Sequence, residues 1–189
     1  MSESLTDQER IYLLQLARQT IGNALRGPQP PSIVLADLTP ALRGFGASFV
    51  TLTLHGHLRG CIGTLTAYQP LAQDVRQRAY QAAFEDYRFP SMTDAEFQQI
   101  AIEISRLTAP LDLVYDSPDG LLTTLTPGVD GVVLRDGLRS ATFLPQVWGQ
   151  LPDPADFLSH LCQKMGVPAN TWQKKTLQVM TYSVEEFHD

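Results

Sequence analysis

Phe49-Val50-Thr51-Leu52-Thr53-Leu54, then His55-Gly56-His57, then Leu58-Arg59-Gly60-Cys61-Ile62-Gly63 is the stretch that decides the fold. Gly46–Leu54 alternates and is rich in Phe, Val and Thr, the pattern of a half-buried strand. A glycine between the two histidines suits a primed two-residue turn, so Leu58–Gly63 returns as a second, antiparallel strand. Side chains along a strand alternate between faces, which puts Arg59 and Cys61 on one face and Leu58, Gly60 and Ile62 on the other.

Helices flank this hairpin. Thr6-Asp7-Gln8-Glu9 is a capping box. Leu14, Ala17, Ile21, Ala24 and Leu25 follow at helical spacing, and Gly27-Pro28 stops the run. Residues 28–45, with four prolines, are predicted to pack along the surface without a long regular element. Pro70 opens a second helix whose buried face is Leu71, Val75, Ala79, Ala82 and Ala83. Thr93-Asp94-Ala95-Glu96 is another capping box before a short helix.

Farther along, Ile100, Ile102, Ile104 and Leu107 alternate with Ala101, Glu103, Ser105 and Arg106 as a third strand. Val132–Phe143, with Asp136-Gly137 at its centre, predicts a second hairpin with a type I′ turn. Asp153-Pro154 starts a helix that buries Phe157, Leu158, Leu161, Cys162 and Met165 and ends at Gly166. Leu177–Tyr182 reads as a terminal strand. The expected class is α+β: a mixed, largely antiparallel sheet built from hairpins and packed by helices.

Composition bounds the rest. The chain has 189 residues, 43% of them hydrophobic and 18% charged, enough to bury a core without disulfide or metal. It has no run of about 18 apolar residues, so no spanning helix is expected. Met1–Arg10 lacks an apolar signal segment. Cys61 and Cys162 are far apart with no paired spacing, which predicts free thiols in a reducing, cytoplasmic setting. Net charge is −6 and the basic residues are scattered singly, which argues against nucleic acid as a partner.

Leu58-Arg59-Gly60-Cys61-Ile62-Gly63-Thr64 resembles the signature of the AMMECR family, also called AmmeMemoRadiSam system protein A. Segments in the same order agree with it: Phe49–Leu52, Arg88-Phe89-Pro90, Glu103-Ile104-Ser105, Gly131-Val132, Phe143–Val147, and Phe157 through Lys164 to Gly166. Ser91 and Arg106 depart from the family's pattern, at positions expected to lie on the surface. The resemblance implies one domain over 1–189, with a larger and a smaller lobe and a cleft between them, the small lobe being placed within about 64–100. It also implies association with Memo-like and radical-SAM proteins.

Candidate chemistry centres on the same motif. A guanidinium beside a thiol favours the thiolate, so Arg59 would activate Cys61. Gly60 and Gly63 remove side chains where a ligand or a second backbone would approach. Glu103, on the far face from its isoleucines, would meet Arg59 or act as a general base. The catalytic candidates are thus Cys61 and Glu103, and the ligand-binding candidates are Arg59, Gly60, Gly63, Thr64, Arg88 and Lys164. The competing structural reading makes Cys61 a small buried hydrophobe and Arg59–Glu103 an ion pair. His55 and His57 read as surface turn residues, with no third ligand to complete a metal site. Glycine-rich phosphate loops and metal motifs are absent, so neither cofactor nor metal is expected. Three functions remain open: a small-molecule-handling or catalytic protein with its site at Arg59 and Cys61, a non-catalytic accessory subunit, and a module binding an anionic metabolite through Arg59 and Arg88.

Overall fold

A computed structural model of the chain describes residues 4–27 and 32–189. These residues form two compact units, 1–107 with 185–189, and 108–184, so residues 64–100 fall inside the first. Among the described residues there are seven α-helices and two antiparallel sheets. The expected α+β class holds, and the strands are sorted into two sheets where one mixed sheet was expected.

In the first unit, α1 (Asp7–Arg26) is followed by a 3₁₀ turn (Leu35–Asp37), α2 (Pro40–Arg43), β1 (Phe45–Leu54), β2 (His57–Gly63), β3 (Gln69–Pro70), α3 (Leu71–Phe84), α4 (Asp94–Phe97) and β4 (Ile100–Leu107). The capping box at Thr6–Glu9 forms as predicted, with the Thr6 hydroxyl accepting the Glu9 amide. The buried stripe of α1 is Leu13, Leu16, Ala17, Thr20 and Ile21, turned slightly from the predicted one, which leaves Leu14, Ala24 and Leu25 half-buried on its flank. Pro28 lies outside the described residues.

β1 is central, with β2 on one side and β4 on the other, and a late strand pairs with β4. Helices α1 and α3 cover the face that carries Val50, Leu52, Ile100, Ile102 and Ile104. Burying each such aliphatic side chain contributes about 1.5–3 kcal/mol, and this layer is the core. His55 (φ 52°) and Gly56 (φ 78°) both adopt positive φ between Leu54 and His57, the arrangement of a type I′ turn.

The second unit contains β5 (Leu111–Asp112), α5 (Pro118–Thr124), β6 (Gly131–Asp136), β7 (Arg139–Phe143), a 3₁₀ turn (Pro145–Gly149), α6 (Pro154–Lys164), α7 (Thr171–Lys174) and β8 (Gln178–Tyr182). Its sheet runs β5-β8-β6-β7, and its core gathers Leu134, Trp148, Phe157, Leu161 and Cys162. The Trp148 and Phe157 rings stack at 3.7 Å, 7° from parallel. The β6–β7 turn differs from the expected type I′. Its two loop residues are Gly137 and Leu138, and only Gly137 has positive φ, which is the pattern of type II′.

A final strand, β9 (Val184–His188), completes the first sheet. Its Glu-Glu pair conceals it from a period-2 reading, since charged residues are depleted in strands. Arg106, expected at the surface, lies on the helix-covered face, where Glu185 of β9 pairs with it at 3.1 Å and with Arg10 of α1 at 2.7 Å.

Gly60 sets how closely β2 and α3 approach. A Cβ there would stand 2.1 Å from the Ala82 carbonyl oxygen, a backbone atom with no rotamer to change. Gly60→Ala is therefore expected to destabilise the fold by about 3 kcal/mol, the upper range for overpacking. Urea unfolding of the two proteins checks it, and equal midpoints would remove Gly60 as a packing constraint.

Candidate functional site

Register, more than sequence proximity, assembles the site. Thr51 of β1 stands opposite Cys61 of β2 and, on its other side, opposite Glu103 of β4. Directly opposed residues project from one face, so thiol, hydroxyl and carboxylate form a row across three strands. This is the face turned away from the isoleucine core, and all three residues are half-buried. The Thr51 hydroxyl donates to the Cys61 sulfur at 3.3 Å. Among the described residues no hydrogen bond or ion pair engages the Glu103 carboxylate.

Arg59 does not join this row. Leu52 pairs with Gly60 and Thr53 with Leu58, so Arg59 is the extra residue of a β-bulge. The bulge breaks the alternation: Leu58, expected to share a face with Gly60, is 45% exposed while Gly60 backs onto α3. Arg59 itself is only 6% exposed. Its Nε and Nη2 bind the two carboxylate oxygens of Glu96 at 2.7 and 3.2 Å, and Nη2 also donates to the Pro90 carbonyl at 2.9 Å. The expected Arg59–Glu103 pair is thus replaced by Arg59–Glu96, because the bulge redirects the guanidinium toward α4. Glu96 simultaneously accepts from the Thr93 amide and hydroxyl, closing the capping box. The Arg59 guanidinium and these Thr93 donors hold the Glu96 carboxyl down to about 2.

Arg88 and Asp86 secure the backbone of Cys61. The Asp86 carboxylate accepts the Cys61 amide at 2.9 Å, and Arg88 Nη2 donates to the Cys61 carbonyl at 3.1 Å. The two side chains also pair with each other at 2.7 Å. Cys61 lies on the outer edge of the sheet, so these bonds satisfy ladder groups that an edge strand leaves unpaired. The Arg88 guanidinium, followed by the Cys61 amide, holds the buried Asp86 carboxyl well below the usual carboxylate range. The guanidinium carbons of Arg59 and Arg88 stand 5.8 and 5.5 Å from the centre of the Phe89 ring.

The other candidates have structural contacts. The Phe49 ring occupies the space a Gly63 side chain would need, 2.2 Å from the ideal Cβ. The Thr64 hydroxyl accepts the Thr66 amide in a local turn. Lys164, in the second unit, donates to the Thr142 carbonyl at 2.9 Å and lies 4.9 Å over the Phe143 ring. Cys162 is fully buried, and burial pushes its thiol up. His55 and His57 lie exposed beside the hairpin turn. Among the described residues no three His, Cys, Asp or Glu side chains gather as a metal site, and no helix is long and apolar enough to cross a membrane.

Sequence reasoning missed Thr51, Asp86 and Glu96. The His55-Gly56 turn alone would place Thr51 opposite Gly60; the bulge shifts the alignment by one residue and brings Thr51 opposite Cys61, which spacing did not reveal. Glu96 was read as a cap, and its second role has no local signal. The chain also buries Asp74, which accepts from Ser48 at 2.7 Å and from Arg78 one turn later at 3.1 Å. The i,i+4 spacing of that pair was visible in the sequence.

The AMMECR1 family model matches residues 14–187. Protein MK0488 of Methanopyrus kandleri is 35% identical over 202 residues, covering 100% of this chain and 92% of its own. A protein of Methanothermobacter thermautotrophicus is 34% identical over 188 residues, with 98% and 96% covered. The crystal structure of the uncharacterized protein PH0010 from Pyrococcus horikoshii superposes with a TM-score of 0.81 at 29% identity, covering 98% of this chain and 93% of that one.

Acid titration tests the two ion pairs. Glu96 has a folded pKa of about 2 against its ordinary 4.5, so its stabilisation is complete above 4.5 and is lost as pH falls toward 2. Asp86 acts with the same sign. Glu96→Gln is expected to lower stability at pH 7 and to flatten its decline between pH 4.5 and 2. Chemical unfolding across that range checks it, and a variant curve parallel to the wild type would show that Glu96 does not titrate with folding.

Proposed function

Since the chain belongs to the AMMECR1 family, we propose that it handles a small molecule at the outer face of the first sheet, with Cys61 as the reacting group. The observation that carries this reading is the Cys61–Thr51–Glu103 row. Three chemically capable side chains share one half-buried face, while the strand that bears the thiol is held at both its amide and its carbonyl. A nucleophile must be presented in fixed geometry to react efficiently. In this scheme the Thr51 hydroxyl, already donating to the sulfur, steadies the charge on the thiolate. Glu103 serves as the general base that takes a proton from the bound molecule.

The protein is taken to act together with Memo-like and radical-SAM proteins, which supply or consume that molecule. Arg59 and Arg88 serve as positioning residues: each guanidinium is already paired with a carboxylate, Glu96 and Asp86. That pairing weighs against the alternative in which these two arginines hold an anionic metabolite. Gly60, Gly63 and Thr64 shape the strand and its exit.

Alkylation kinetics test the site. Cys61 is expected to react with iodoacetamide at neutral pH at least roughly tenfold faster than buried Cys162. Thr51→Val should slow the Cys61 rate several-fold, with the Cys162 rate as an internal control of folding. Equal, slow labelling of both thiols would end the proposal, and an unchanged Cys61 rate in Thr51→Val would end the role of the hydroxyl.

A further inference from the structure

The Cys61 row continues one strand farther than the thiol, hydroxyl and carboxylate already described. The Asp189 amide donates to the Ile102 carbonyl at 3.1 Å, and Arg106 pairs with Glu185 at 3.1 Å. As β4 runs forward from Ile102 to Arg106, its neighbour therefore runs back from Asp189 to Glu185. That register sets His188 opposite Glu103, Phe187 opposite Ile104 and Glu186 opposite Ser105. Burial agrees: Phe187 lies in the isoleucine core, while His188 and Glu186 are exposed. One face thus carries Cys61, Thr51, Glu103 and His188 in a line across β2, β1, β4 and β9.

The charges near this line are unequally matched. Arg59 is held by Glu96 and Arg88 by Asp86, one cation to one anion in each case. Glu186 has a partner of its own. Among the described residues Glu103 and His188 have none, and no bond joins the two. A half-buried carboxylate gives up part of its hydration and recovers that cost only through a partner. Glu103 therefore leaves an unmatched negative charge on the same face as a nucleophile, in a chain whose net charge is already −6.

Spacing adds a length. Cys61 and Glu103 flank Thr51 on either side, so two strand spacings, about 10 Å, separate them. Subtracting about 3 Å for a near-attack contact at the sulfur and about 2.8 Å for a charge-assisted hydrogen bond at the carboxylate leaves about 4 Å. That is the span of a two-carbon bridge between a reactive atom and a charged nitrogen.

We propose that the molecule handled at this face is a small cationic electrophile, carrying a protonated amine about two carbons from the atom that Cys61 attacks. The inference rests on Cys61 being the reacting group, and it adds Glu103 as the residue that selects for positive charge.

Methanethiosulfonates of different charge test it on the full chain: the 2-aminoethyl reagent is positive, the 2-sulfonatoethyl reagent negative and the methyl reagent neutral. With each, the Cys61 thiolate attacks the sulfenyl sulfur, a mixed disulfide forms and methanesulfinate leaves, so the reagent is itself the oxidant. Rates are read at pH 7 by mass spectrometry of the Cys61 peptide. Dividing them by the rates for 2-mercaptoethanol removes the intrinsic difference between reagents. On that scale the cationic reagent is expected to exceed the anionic one at least about fivefold at about 10 mM salt, and to approach equality at about 1 M, where the screening length falls to about 3 Å. Glu103→Gln, which keeps the shape of the side chain, should bring the low-salt ratio to within about twofold of one, and His188→Gln should keep the preference. The neutral reagent distinguishes two failures. A fast neutral reaction with no preference for charge overturns this inference alone, whereas slow reaction of Cys61 with all three reagents overturns the reading it rests on as well. A ratio that persists in the folded Glu103→Gln protein would belong to the net charge of the chain and would also overturn the inference.

Discussion

Everything in the first unit turns on the contact between the β2 backbone at Gly60 and the Ala82 carbonyl of α3, which tolerates no side chain. It brings the end of α3 against the edge strand, and the loop that leaves the helix then reaches the neighbouring residue. Asp86 takes the Cys61 amide and Arg88 takes its carbonyl. An edge strand normally exposes such groups to water or to another strand. Here an internal ion pair occupies them, so β2 is closed along its outer margin at the position of the thiol.

The hairpin, both capping boxes, the isoleucine strand and the α6 core were legible because each rests on local periodicity or on end chemistry within a few residues. The bulge at Arg59 was not. Counting residues along a strand assumes two-for-two pairing, and the guanidinium leaves that count to reach Glu96, 37 positions away. The same limitation hid the division into two sheets and the position of Arg106. Its charge suggested the surface, but the Glu185 carboxylate that pairs with it belongs to a strand near the C-terminus. Long-range partners of buried charges leave no trace in spacing.

The mixture of arginine, glycine and cysteine that made the motif look chemical divides once contacts are known. Gly60 answers to the Ala82 carbonyl, Gly63 to the Phe49 ring, and Arg59 to Glu96 and Pro90. Each is accounted for by close packing or by charge compensation in a poorly hydrated place, where an unpaired ion would be costly. Cys61 alone is not accounted for in this way. Its backbone is held, but its sulfur meets a hydroxyl on the face turned away from the isoleucine core. In the proposed function, the chemistry of the motif therefore falls on a single atom and its cross-strand neighbours.

Charge compensation also bears on what the Cys61 face can attract. The guanidiniums nearest the thiol are held by Asp86 and Glu96, whose carboxyls are depressed by those contacts, so the region around Cys61 has little net positive field to offer an anion. On the proposed reading, a neutral or electrophilic molecule suits that face better than an anion.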